Sequence, residues 1–82
     1  MPPADHRITL LTRAGCHLCD DARGVLHRVA GEVGTRVQEQ DVDADPQLRA
    51  QYGEWVPVIL IDGREHGYWR VEEDRLRAAL AR

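Results

Sequence analysis

Leu11-Thr12-Arg13-Ala14-Gly15-Cys16-His17-Leu18-Cys19 is the stretch whose reading decides the fold. It joins a strand to a helix. Upstream, Arg7-Ile8-Thr9-Leu10-Leu11-Thr12 is short, apolar on both faces and β-branched in part, as a buried central strand should be. Arg13-Ala14-Gly15 breaks it. From about Cys16 to Ala30, the apolar residues Leu18, Ala22, Val25, Leu26 and Val29 recur at steps of three and four, so they predict one buried helix face. Asp20 and Asp21 suit the positive end of the helix dipole and Arg28 the negative end. Gly31 and Gly34 mark the exit. The two cysteines therefore open a helix straight after a strand.

Working outward, Thr35 to Val42 reads as a second strand, polar enough to lie at a sheet edge. Asp43-Ala44-Asp45-Pro46 gives a turn and a helix start, with Asp45 as N-cap and Pro46 in the first helical position. That short helix runs through Leu48 and Tyr52 and stops at Gly53. Val56-Pro57-Val58-Ile59-Leu60-Ile61 is the strongest strand signal, with Pro57 at its first residue because proline cannot donate to a ladder. Asp62-Gly63 predicts a tight hairpin, Arg64 to Trp69 the returning strand, and Glu72 to Ala81 a last helix with Leu76, Ala79 and Leu80 inward. The order β-α-β-α-β-β-α specifies an α/β fold. It starts with a right-handed parallel crossover and ends in an antiparallel hairpin, giving a four-stranded mixed sheet with flanking helices.

The chain has 82 residues, enough for one domain over 1–82, with 1–6 expected to be flexible. A domain of this size buries roughly 60–65% of its unfolded surface, so a site must sit on the outside of a minimal scaffold. Hydrophobic residues make up 43% and charged residues 30%, with a net charge of −3, which excludes a disordered chain and gives no basic footprint for nucleic acid. No apolar run approaches the roughly 20 residues of a membrane span, and the N-terminus lacks the apolar core of a signal peptide. A cytoplasmic location is the expectation. Two cysteines three positions apart are too few and too close for a structural disulfide framework.

Disulfide exchange needs a thiolate. Unpaired N–H groups and the dipole at a helix N-terminus favour an anion, and such positions can lower a cysteine pKa from about 8.5 to roughly 3.5–7.5. Cys16 stands at that end as the candidate nucleophile. Cys19, one turn on, is placed to resolve a mixed disulfide formed at Cys16. Arg13 is expected to bring positive charge to the Cys16 thiolate. His17 either supports the thiolate when protonated or points to solvent. The rival reading is metal. A structural zinc site needs four ligands, and His6, His17, His27 and His66 do not supply a second pair at finger-like spacing. An iron–sulfur cluster completed by outside thiols, or a docking module without turnover, is the alternative function. Pro57 is the second element of the site. A trans bond is the commoner state; a cis bond would expose the backbone of Val56 beside the cysteines for an extended substrate.

Leu11 to Cys19, Asp41-Val42-Asp43-Ala44-Asp45-Pro46 and Tyr52-Gly53-Glu54-Trp55-Val56-Pro57-Val58 together resemble short bacterial glutaredoxin-like proteins of the thioredoxin superfamily, over nearly the whole chain. The resemblance implies a thioredoxin/glutaredoxin-like fold, a cis Pro57, a nucleophilic Cys16 and a resolving Cys19. The expected function is that of a thiol–disulfide oxidoreductase acting on protein or glutathione mixed disulfides, with no tightly bound cofactor, glutathione as a candidate co-substrate, and a monomeric state. The chain departs from typical glutaredoxins at His17-Leu18, where they carry Pro-Tyr. It departs again at Asp62-Gly63-Arg64-Glu65-His66-Gly67, which lacks the double glycine and aspartate that grip glutathione. Arg13, Arg49 and Arg64 are the candidate partners for its two carboxylates. Trp55, beside Pro57, is expected to be a surface contact for substrate, and Trp69 with Tyr68 to pack over the last helix. The acidic groups Asp41-Asp43-Asp45 and Glu72-Glu73-Asp74 read as a turn with a helix cap and as an acid-biased first helical turn.

Overall fold

The computed structural model describes residues 6–81. Its elements are β1 (Arg7–Thr12), α1 (His17–Val33), β2 (Arg36–Asp41), a 3-10 turn (Val42–Ala44), α2 (Pro46–Tyr52), β3 (Val58–Ile61), β4 (Arg64–Tyr68) and α3 (Glu73–Leu80). The order is the one the sequence specifies. The sheet runs β2-β1-β3-β4. β1 is parallel to β2 and antiparallel to β3, and β3 is antiparallel to β4.

Strand alternation sorts the core onto two faces. Ile8 and Leu10 of β1 and Ile59 and Ile61 of β3 meet Ala22, Leu26, Val29 and Ala30 of α1 and Leu76 and Leu80 of α3. The opposite face carries Leu11, Val42 and Val58, with Leu48, Tyr52, Val56 and Leu60 packed against them from the α2 side. Among the described residues the first cluster holds ten buried side chains and the second three. At about 1.5–3 kcal/mol per large side chain removed from water, the α1–α3 face supplies most of the stability and the α2 face is thin. The cysteines and Pro57 sit at the end of the sheet where β1 finishes and β3 begins, since Leu11 pairs with Val58.

Several boundaries differ from the sequence reading. Gly31 does not stop α1, which continues to Val33. Gly34 ends it in the left-handed region (φ 78°), and the amides of Gly34 and Thr35 both return to the Ala30 carbonyl. Leu18 is 46% exposed rather than inward, because the first turn of α1 projects past the end of the sheet; Cys19 takes the buried place instead. Val42 lies beyond β2, in the 3-10 turn. Pro57 precedes β3 rather than opening it. Asp45 caps α2 through Gln47 and Leu48, with Pro46 in the first turn, and the Asp41 carboxylate accepts from the Asp43 amide. Asp62 (φ 54°) and Gly63 (φ 82°) form the β3–β4 turn, both left-handed as a type I′ hairpin requires. Of the segment expected to be flexible, residues 1–5 lie outside the described residues; His6 is anchored, its Nδ1 2.7 Å from an Asp62 carboxylate oxygen.

Candidate active site

The site begins in the turn between β1 and α1. The Cys16 amide donates to the Arg13 carbonyl at 3.2 Å, closing a four-residue turn with Gly15 in its third position at φ 76°. That is the type II arrangement, which needs positive φ there and therefore selects glycine. Cys16 leaves the turn extended (φ −90°, ψ 106°) and is the N-cap of α1; its sulfur accepts the Cys19 amide at 3.1 Å. A cysteine here does what a serine or aspartate cap does, and the same N–H groups that hold the sulfur would hold a thiolate.

Cys16 and Cys19 are joined as a disulfide, with Cα atoms 5.2 Å apart. Their surroundings differ. Cys16 is half-buried, whereas Cys19 is 1% exposed. His17 and Leu18, between them, face outward. Asp20 is drawn to Arg23 at 2.7 Å, and Arg23 also reaches Glu39 at 2.7 Å.

Arg13 does not act as a lone charge beside the cysteines. Its Nε and Nη2 donate to the two Asp43 oxygens at 3.0 and 3.1 Å, and its Nη1 donates to the Gly53 carbonyl at 3.1 Å. The hydrogen bonds to Asp43, and then its charge, raise the guanidinium's pKa further. The planar fork of arginine matches a carboxylate at two points, so Arg13 clasps the turn before Cys16 to the 3-10 turn and to the end of α2. Gly53 belongs to this clasp for a steric reason: a Cβ there would lie 2.6 Å from the Arg49 carbonyl oxygen.

The Val56–Pro57 bond is cis. Pro57 is buried and stands one residue before Val58, level with the end of β1. Val56 is half-buried and packs against the small core cluster. The Trp69 amide donates to the Pro57 carbonyl at 2.7 Å. Trp55 is exposed, as expected. Trp69, expected to pack over α3, instead stacks on Trp55 with centroids 5.5 Å apart and planes 17° apart. Tyr68 joins them at 5.6 Å from Trp55. Trp55 and Trp69 remain 46% and 49% exposed. The Glu65 carboxylate accepts from the Tyr68 and Tyr52 hydroxyls at 2.6 and 2.9 Å, and those bonds hold its pKa below the usual range.

Tyr68 owes its place to a bulge, and Trp69 to a left-handed backbone (φ 65°) just past the end of β4. Ile59 pairs with Gly67 but Leu60 with Glu65, so His66 is an extra residue in β4. It puts Tyr68 on the α2 face with Glu65 rather than on the α3 face. No local signal in the sequence marks it, and the aromatic cluster, Asp43 and Gly53 were all missed for want of long-range pairing. Arg64, paired with Ile61, sits at the opposite end of the sheet from the cysteines. Among the described residues no group of three or more His, Cys, Asp or Glu side chains is arranged to hold a metal, and no helix is long and apolar enough to cross a membrane.

A Cys-x-x-Cys pair capping the helix after β1, level with a cis-proline, coincides with a match of residues 7–81 to the family described as Glutaredoxin-like domain (DUF836). The chain belongs to the glutaredoxin-like domain family. An uncharacterized protein of Mycobacterium tuberculosis is 46% identical over 81 residues, covering 93% of this chain and 84% of the relative. A structural-genomics target protein from X. campestris is 36% identical, with a TM-score of 0.73 over 90% of this chain and 95% of that one. A mutant thioredoxin from Halobacterium salinarum has a TM-score of 0.68 at 23% identity, over 93% of this chain and 72% of that one; at that identity the likeness speaks for the thioredoxin fold alone. Fold, family and cysteine pair together support a thiol-redox type of function for this glutaredoxin-like chain.

Proposed function

We propose that the protein is a dithiol–disulfide oxidoreductase that reduces mixed disulfides of proteins or glutathione, with Cys16 as nucleophile and Cys19 as resolving thiol. The observation that carries this reading is the unequal burial of two cysteines at the start of one helix: Cys16 half-open to a substrate, Cys19 closed off behind it.

In the dithiol form, Cys16 as thiolate attacks one sulfur of the substrate disulfide and expels the other as a thiol. Cys19 then loses its proton and attacks the Cys16 sulfur, which releases the second substrate thiol and leaves the Cys16–Cys19 disulfide. Two electrons and two protons pass from the cysteine pair to the substrate. Donors at the start of α1 stabilise the attacking thiolate, because the Cys19 amide already points at the Cys16 sulfur. Cys19 is held within a turn of the mixed disulfide, so resolution is intramolecular and outpaces attack by a free thiol. An extended substrate lies along Val56–Pro57, with backbone pairing as in strand addition. His17 borders the substrate. Arg13 is a positioning residue that fixes the turn. The protein works as a monomer in the reducing cytoplasm, with no tightly bound cofactor, and is returned to its dithiol form by glutathione or by a thioredoxin system.

Turnover of a glutathionylated peptide, with glutathione or with thioredoxin and its reductase as donor, tests this on wild type, Cys16→Ser and Cys19→Ser. Cys16-dependent turnover with either donor supports the reading. Wild-type activity in Cys16→Ser, or none in the wild type with both donors, overturns it.

A further inference from the structure

The stacked indoles of Trp55 and Trp69 are held in place at backbone cost and yet left open. Trp69 sits at φ 65°, a region that bulky side chains rarely adopt, and its amide is fixed to the Pro57 carbonyl. Small domains seldom leave two large aromatics together in water, and such a patch marks a contact surface. This one adjoins the proline that stands level with the cysteines.

Negative charge prevails around it. Segments 12–21, 41–57 and 65–70, which build this end of the molecule, carry seven carboxylates against three arginines. Asp20 is paired with Arg23, just outside these segments. Arg13 and Asp43 pair with each other, which leaves five carboxylates against Arg49 and Arg70. Glu54 precedes Trp55 directly and is exposed, and Glu65 stands behind Tyr68 with its charge kept by two phenol hydrogen bonds. An indole face attracts a guanidinium or ammonium group, and surrounding carboxylates add to that attraction while repelling anions.

We propose that the Trp55–Trp69 stack is a specificity surface for polypeptide disulfides that carry a basic side chain next to the cysteine, with that side chain laid on the indole pair. This deepens the function proposed above and rests on it. The electron balance is unchanged: the partner disulfide gains two electrons and two protons, and Cys16 and Cys19 become a disulfide. Glutathione, with two carboxylates and one amine, meets a field of the wrong sign here and is the poorer substrate.

Single-turnover oxidation of the pre-reduced protein tests this without any electron donor. The oxidants are two disulfide-linked peptide dimers of equal length, with arginine or with glutamate on both sides of the cysteine, and neutral bis(2-hydroxyethyl) disulfide. Rates are divided by those of 2-mercaptoethanol with the same disulfides, which removes the intrinsic effect of flanking charge on the leaving thiol. The arginine peptide should then exceed the glutamate peptide by about tenfold. The preference should shrink at high salt and shrink in both Trp69→Leu and Glu54→Gln; Glu54→Gln removes a surface charge without disturbing the stack. Equal normalised rates in the wild type, or a preference that survives in both variants, overturn the proposal. Failure of the neutral disulfide to oxidise the wild type through Cys16 overturns instead the underlying function.

Discussion

Arg13 and Asp43, 30 residues apart in sequence, are joined by two side-by-side N–H···O bonds, and the third arm of the same guanidinium holds the Gly53 carbonyl. The pair therefore fixes the position of the turn that delivers Cys16. Arg13→Lys keeps the charge and loses the fork. It should lower the urea midpoint and the rate of Cys16 oxidation nearly as much as Arg13→Gln does. A lysine variant indistinguishable from wild type would mean that charge alone matters there.

Gly15 occupies φ 76° with open space where a Cβ would go. The cost of Gly15→Ala is thus confined to the backbone, about 1–2 kcal/mol. It should appear as a lower urea midpoint together with slower disulfide exchange, because the same turn aims Cys16.

Gly53→Ala differs in kind. The backbone there is ordinary helix (φ −54°), but the added methyl meets the Arg49 carbonyl at 2.6 Å. A loss of about 1–3 kcal/mol is expected from such overpacking, read by chemical denaturation. A neutral result would show that the end of α2 yields easily.

His66, the extra residue in the β4 bulge, has a buried Nε2 with no hydrogen-bond partner. Burial, and then the charge of Arg75, push its pKa below the usual value, while Glu72 pulls the other way. The folded chain therefore binds fewer protons than the unfolded chain just below the ordinary histidine pKa of about 6.5. Stability contributed by neutral His66 is complete above that pH and is lost as pH falls from it towards the depressed folded value. Urea midpoints at about pH 7.5 and about pH 5 should differ more in wild type than in His66→Leu. Equal differences in the two proteins would remove His66 from the acid response.

Much of this was legible in the sequence, for identifiable reasons. The β1–α1 junction, the Asp45–Pro46 helix start and the Asp62-Gly63 turn are local, each carried by residues within a few positions of one another. Leu18 was misplaced because helical periodicity cannot tell how far a helix overruns the sheet it covers. Tyr68 departs from the expected face because one bulged residue reverses the facing of the strand residues that follow it, and Trp69 because β4 ends at Tyr68 and the backbone turns left-handed at Trp69 (φ 65°). The Arg13–Asp43 pair is not legible in the sequence because its members meet only through the fold. The Val56–Pro57 bond stayed open on the residues alone and was implied cis by the family resemblance; it is cis.

The central claim is the division of labour between Cys16 and Cys19, and trapping the mixed disulfide tests it most directly. Pre-reduced Cys19→Ser and Cys16→Ser proteins are each mixed with a peptide disulfide, quenched with acid and weighed intact. Cys19→Ser should gain the mass of one peptide at Cys16 rapidly and hold it, while Cys16→Ser, left with the 1%-exposed Cys19, should stay at its own mass. Rapid capture by Cys16→Ser, with Cys19→Ser unreactive, would contradict the account.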